Sequence, residues 1–111
     1  MDLLQLHRVM VTAREIDRLE SALVGRGEAP FHVSGAGHEG AAILASLLTA
    51  DDWLHCHYRD KALMLARGMR PQAFFEALYC TDASTSRGRQ MNAHVCDPDL
   101  HMLSIAGPVG N

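Results

Sequence analysis

The chain has 111 residues, 48% of them hydrophobic and 21% charged, with a formal net charge of −3 and a pI near 6.1. That composition belongs to one globular domain and excludes a disordered, collagen-like or disulfide-stapled chain. A chain this long buries roughly two thirds of its unfolded surface, which is enough for one core.

The mild acidity and the lack of a Lys/Arg block argue against a nucleic-acid partner, which needs a clustered basic surface. The longest nearly apolar run, 41–50, is too short to cross a bilayer, and Asp2 stands where a secretory leader would be basic. A soluble, cytoplasmic protein with no membrane partner is therefore expected. Cys56, Cys80 and Cys96 are odd in number and form no C-x-x-C, which fits free thiols in a reducing compartment.

In chain order, Leu6, Val9, Ala13, Ile16, Leu19 and Leu23 recur at steps of three and four. This predicts an amphipathic helix over 1–24, capped by Asp2 and stopped by Gly25 and Gly27, with Arg14, Glu15, Asp17, Arg18 and Glu20 on its other faces. Residues 25–30 read as a connector, and Phe31-His32-Val33 as a short extended stretch. The Ala-rich segment 39–48 is apolar nearly all round, so a helix buried on every side is expected there. Trp53 to Tyr58 reads as a strand or extended turn, and 61–67 as a brief helix ended by Gly68. Pro71 suits the first turn of another helix, which puts Phe74, Phe75 and Leu78 on one side. Residues 81–89 have little to bury and are expected to form a mobile loop.

Three clusters carry possible chemistry. Gly35-Ala-Gly-His-Glu-Gly40 fits G-x-G-x-x-G at a helix start, where backbone N–H groups bind a pyrophosphate. The short stretch before it is a poor strand, and the alternative is that the glycines let a buried helix start close to another backbone. His55-Cys56-His57, with Cys80, His94, Cys96 and His101, offers nitrogen and sulfur ligands. In an extended strand, however, His55 and His57 point away from Cys56, and no zinc spacing is present, so no metal site is assigned. Tyr58-Arg59-Asp60-Lys61 joins an extended stretch to a helix. An arginine fork and a phenol at a helix start suit a diphosphate, and equally a solvated helix terminus.

The order of these pieces resembles a known family. Phe31-His-Val-Ser-Gly-Ala-Gly-His-Glu-Gly40, Asp52-Trp53, Tyr58-Arg-Asp-Lys-Ala-Leu-Met-Leu-Ala-Arg-Gly68, Gly88-Arg-Gln-Met-Asn-Ala-His94 and Ser104-Ile-Ala-Gly-Pro-Val-Gly110 are similar to the N-terminal part of the alpha subunit of thiamine-diphosphate-dependent 2-oxo acid dehydrogenases. Pyruvate, branched-chain and acetoin dehydrogenases share this layout. The resemblance implies the N-terminal, mainly helical portion of an α/β thiamine-diphosphate-binding fold, ending before most of the parallel sheet. The whole chain, 1–111, would be a single incomplete domain, with its cofactor-binding part beginning at residue 31.

The resemblance also implies roles. Tyr58 and Arg59 match the pair on the cofactor diphosphate, Gly107 and Val109 the turn that holds the aminopyrimidine, and His32 a catalytic histidine at the mouth of the active site. His94 matches a position near that site. The implied reaction is oxidative decarboxylation of a 2-oxo acid with acyl transfer to a lipoyl group. The implied partners are a beta subunit or beta half and a lipoyl-bearing acyltransferase. The implied cofactors are thiamine diphosphate and Mg²⁺, and the family's Gly-Asp-Gly magnesium motif does not occur in these residues. The chain by itself is accordingly expected to be catalytically incomplete. The alternative is a non-catalytic helical interaction module of the same descent, using segment 39–48 as its contact face.

Overall fold

The computed structural model describes residues 1–105 and 107. Helix α1 runs Leu3–Gly25 and opens with a reciprocal capping box. The Asp2 carboxylate accepts from the Gln5 amide at 2.8 Å, and the Gln5 side chain accepts from the Asp2 N–H at 3.1 Å. Each bond satisfies a donor that a helix start leaves orphaned. The predicted cap and stop are thus where the sequence puts them, and the predicted apolar face is covered at Leu6, Val9, Ala13, Ile16 and Leu23; the departure is that two acids share the buried side. Ala13, Ile16, Asp17 and Glu20 point inward, a step of three, four and seven residues that selects one helix face, while Leu19 is exposed.

Segment 39–48 departs further from expectation. It forms a 3-10 helix, Glu39–Leu47, with only Ala42 fully buried. Ile43, Leu44 and Leu47 are 48%, 47% and 79% exposed. With three residues per turn, the narrow Ala41, Ala42 and Ala45 edge faces the core and the branched residues face outward. Arg14 of α1 holds the start of this element through Glu39 at 2.6 Å.

Helix α2, Lys61–Ala66, packs against both α1 and this 3-10 helix, and α3, Pro71–Leu78, packs against α1. Pro71 occupies the first turn of α3, where its missing N–H costs nothing. Gly68 ends α2 with φ +115°, a value that a side chain disfavours. The main core gathers Ile16, Cys56, Leu63, Met64, Met69, Phe74, Ala77, Val95 and Met102, and Ala13, Ala42 and Ala62 form a smaller seam.

The described residues are mainly helical and contain no strand, only isolated bridges, and no described helix is long and apolar enough to cross a membrane. Leu54 pairs with the 101–103 segment, its N–H donating to His101 O and its carbonyl accepting from Leu103 N–H, both at 2.8 Å. Beside this bridge the Trp53 and His101 rings stack at 4.5 Å, nearly parallel. Arg67 gathers the neighbouring turns, donating to the carbonyls of Thr49, Ala50, Asp52 and Leu100 at 2.5 to 3.3 Å. Residues 81–89, expected as a mobile loop, are a succession of turns pinned by the buried Ser84. Its hydroxyl donates to Thr81 O at 2.8 Å and accepts from Gly88 N–H at 2.9 Å.

Candidate functional site

The site is built where two irregular segments cross. Residues 31–34 belong to neither helix nor strand, and neighbouring side chains there face different ways. Phe31 and Val33 line a cavity of about 330 Å³ with Tyr58, Arg59, Met91, Asn92, His94 and Gly107. His32, between them, is not among that lining.

On the cavity side, the Arg59 guanidinium donates to Ser34 O at 2.9 Å and lies 5.4 Å over the Tyr58 ring. Among the described residues no carboxylate pairs with it. A cation on an aromatic face with most of its fork unspent suits an anionic ligand. Gly35 makes the crossing possible. A Cβ there would lie 2.9 Å from the Arg59 carbonyl oxygen, closer than real Cβ atoms come. The close-approach reading of the glycine-rich run therefore explains Gly35, and no strand precedes it as a dinucleotide fold requires. Opposite, the buried Asn92 donates to Phe31 O at 3.3 Å and His94 Nδ1 lies 3.2 Å from Asn92 O. A Cβ on Gly107 would meet His94 Nε2 at 3.3 Å, so a bare glycine lets the chain reach the cavity wall.

Behind this segment is a buried cluster of charge. The Asp17 carboxylate accepts from the Ser34 hydroxyl at 2.7 Å and from the Gly35 N–H at 2.8 Å. Lys61 Nζ reaches Asp17 at 3.4 Å and also pairs with the fully buried Glu20. His32 completes the group, 3.1 Å from Glu20 and 3.6 Å from Asp17. Neither ring nitrogen makes an aligned hydrogen bond, and Glu20 Oε1 has no partner. The His32 approaches are close packing rather than directed bonds. Burial pushes the Glu20 carboxyl above the usual range despite Lys61 and His32. Burial also acts to raise Asp17, but Ser34, Gly35, Lys61 and His32 outweigh it and hold that carboxyl low. Asp17, Glu20 and His32 lie close enough to surround a cation, and the Lys61 ammonium already supplies one.

The structure thus brings Tyr58, Arg59 and Gly107 to one cavity, with His94, and sets His32 on the reverse of the same segment. Val109 lies outside the described residues. Of the candidate nitrogen and sulfur ligands, Cys56 is buried in the core while the His57 ring lies tilted against Tyr58, centroids 3.8 Å apart. Burial, with a smaller push from Asp60, raises the Cys56 thiol to about 11. Sequence reasoning missed Asp17 and Glu20, which it put on faces other than the apolar one, and Asn92. The signal was present in α1, since 13, 16, 17 and 20 share a face.

Comparison with known proteins places the chain in a family. A family model described as the dehydrogenase E1 component matches residues 7–111. The chain is also 31% identical, over 107 residues, to the 2-oxoisovalerate dehydrogenase subunit alpha of Bacillus subtilis (strain 168), covering 94% of this chain and 32% of that protein. It therefore spans about a third of the length of this relative. With nearly all of its length inside the matched region, the chain belongs to the dehydrogenase E1 component family.

Proposed function

We propose that this chain forms the diphosphate-holding part of a thiamine-diphosphate-dependent 2-oxo acid dehydrogenase, within an α/β parent fold. The observation that carries the reading is the Arg59 guanidinium, without a carboxylate partner, at a cavity it shares with Tyr58. Arg59 would hold the diphosphate through charge-assisted bonds, and Tyr58 would offer its hydroxyl beside it. Gly107 leaves room at the wall, and by the family resemblance the Val109 backbone would hold the aminopyrimidine. The described lining carries no carboxylate, so it fits the anionic end of the cofactor and offers no oxygen cage for Mg²⁺. Magnesium rests on the family resemblance alone. The cofactor, when bound, supplies the nucleophilic carbon and the electron sink that decarboxylation of a 2-oxo acid needs. The residues of this chain bind and orient it.

His32 belongs to the reading as a residue of the same segment. Its imidazole sits against Glu20 and Asp17, close behind the cavity wall. The partners that fit are a beta subunit and a lipoyl-bearing acyltransferase, with a 2-oxo acid as substrate.

The test is Arg59→Ala in the intact protein, with thiamine diphosphate affinity and substrate preference measured together. Affinity is expected to fall by at least about tenfold, the loss of one charged hydrogen bond, with the ranking of 2-oxo acids unchanged. An unchanged affinity would remove Arg59 from the site. The non-catalytic interaction module remains a second reading, favoured by the exposed Ile43, Leu44 and Leu47. It predicts no cofactor affinity to lose.

A further inference from the structure

Resting on the anion-site reading above, we propose that Asp17 is a positioning residue for the Arg59 guanidinium, acting through the Ser34–Gly35 peptide. Among the described residues Asp17 makes no hydrogen bond or ion pair with a side chain that lines the cavity. It spends one oxygen on the Ser34 hydroxyl at 2.7 Å and the other on the Gly35 N–H at 2.8 Å. The same Ser34 supplies the carbonyl that receives Arg59 Nη1 at 2.9 Å. On the far side, the missing Gly35 side chain leaves that peptide in contact with the Arg59 carbonyl. The Ser34–Gly35 unit is therefore clamped between a carboxylate from α1 and both the backbone and the side chain of Arg59.

A second tie runs the other way around. Lys61, two residues after Arg59, returns to Asp17 at 3.4 Å and to Glu20. One buried carboxylate thus fixes the peptide before the guanidinium and the backbone after it. Arginine is flexible, and a single carbonyl contact leaves its fork free to turn unless that carbonyl is itself immobile. A fork oriented before its ligand arrives loses less freedom on binding. Burial works against the Asp17 charge, and the donors around it outweigh that, which keeps it an acceptor at both oxygens.

The experiment is a double-mutant cycle on the intact protein, with inorganic diphosphate as the probe and calorimetry as the readout. Asp17→Asn cannot accept both bonds, and diphosphate affinity is expected to fall about tenfold, with Ser34→Ala giving about a threefold loss, the range seen for coupled neighbours. In an Arg59→Ala background neither change is expected to matter further, because the group they orient is gone. A merely structural role would give additive losses. If Asp17→Asn does not fold, the Ser34→Ala cycle decides, since it leaves the charged cluster intact. Should Arg59→Ala weaken diphosphate binding while Asp17 and Ser34 are silent or additive, the positioning role falls and the anion site stands. Should Arg59→Ala have no effect, or the unaltered protein bind no diphosphate, both fall together.

Discussion

Replacing Lys61 by methionine keeps the stem that packs under α1 and removes the ammonium. Glu20, fully buried and already missing a partner for Oε1, is then left with His32 and the like-charged Asp17 beside it. Removing one partner of a buried pair costs about 3–5 kcal/mol when the other charge stays. The carboxyl has a second way out, and one that depends on pH, because its pKa is already raised by burial and it can take a proton. Holding it neutral near pH 7, when the unfolded chain ionises near 4.3, costs about 1.36 kcal/mol for each of about 2.7 pH units, or about 3.7 kcal/mol. Near pH 5 the same sum gives about 1 kcal/mol. The sign follows from the raised pKa: a neutral Glu20 destabilises the fold increasingly as pH rises above the unfolded value, and the penalty fades as pH falls toward it. Urea unfolding of the intact protein and Lys61→Met, compared at both pH values, checks this. The deficit is expected to shrink by more than half at the lower pH. An equal deficit at both values, or none at either, would show that Lys61 does not neutralise a buried carboxylate. A further change of Glu20→Gln should recover part of the loss near pH 7.

Two more outcomes follow from the same packing. Gly35→Ala places a methyl 2.9 Å from the Arg59 carbonyl, so a loss of about 1–3 kcal/mol in thermal unfolding is expected, the usual cost of forcing backbone apart; an unchanged melting temperature would mean that the crossing has slack. Cys56 is buried with its thiol raised to about 11, whereas Cys80 is exposed. Iodoacetamide near pH 8 should therefore alkylate Cys80 in the folded protein and reach Cys56 only after denaturation, as peptide mass mapping would reveal.

The parts of the fold that sequence reading recovers are those written in local chemistry. The Asp2 cap, the Gly68 stop and Pro71 at a helix start each act within one turn, and each is found where the residues place it. Segment 39–48 defies a sequence reading because its apolar residues have no polar side to set a period. Whether three or 3.6 residues make a turn decides which of them is covered, and packing against α2 makes that choice. The charged cluster escaped for a different reason. Asp17 and Glu20 meet Lys61 across 44 and 41 residues, and single-helix periodicity counts acids as solvated faces. Tyr58 and Arg59 are adjacent and were legible as a pair. Their setting depends on Ser34, Asn92 and Gly107, which come from separate segments and carry no common spacing.

The Trp53–His101 stack gives the protein an optical reporter. The chain has one tryptophan, and its ring lies on the partner that joins residue 54 to the 101–103 segment. Indole fluorescence therefore watches a seam closed across nearly half the chain, while far-ultraviolet ellipticity is dominated by α1. Monitoring both during one denaturation separates loss of the long helix from release of the later segment, and coincident curves would mark the two as one cooperative unit.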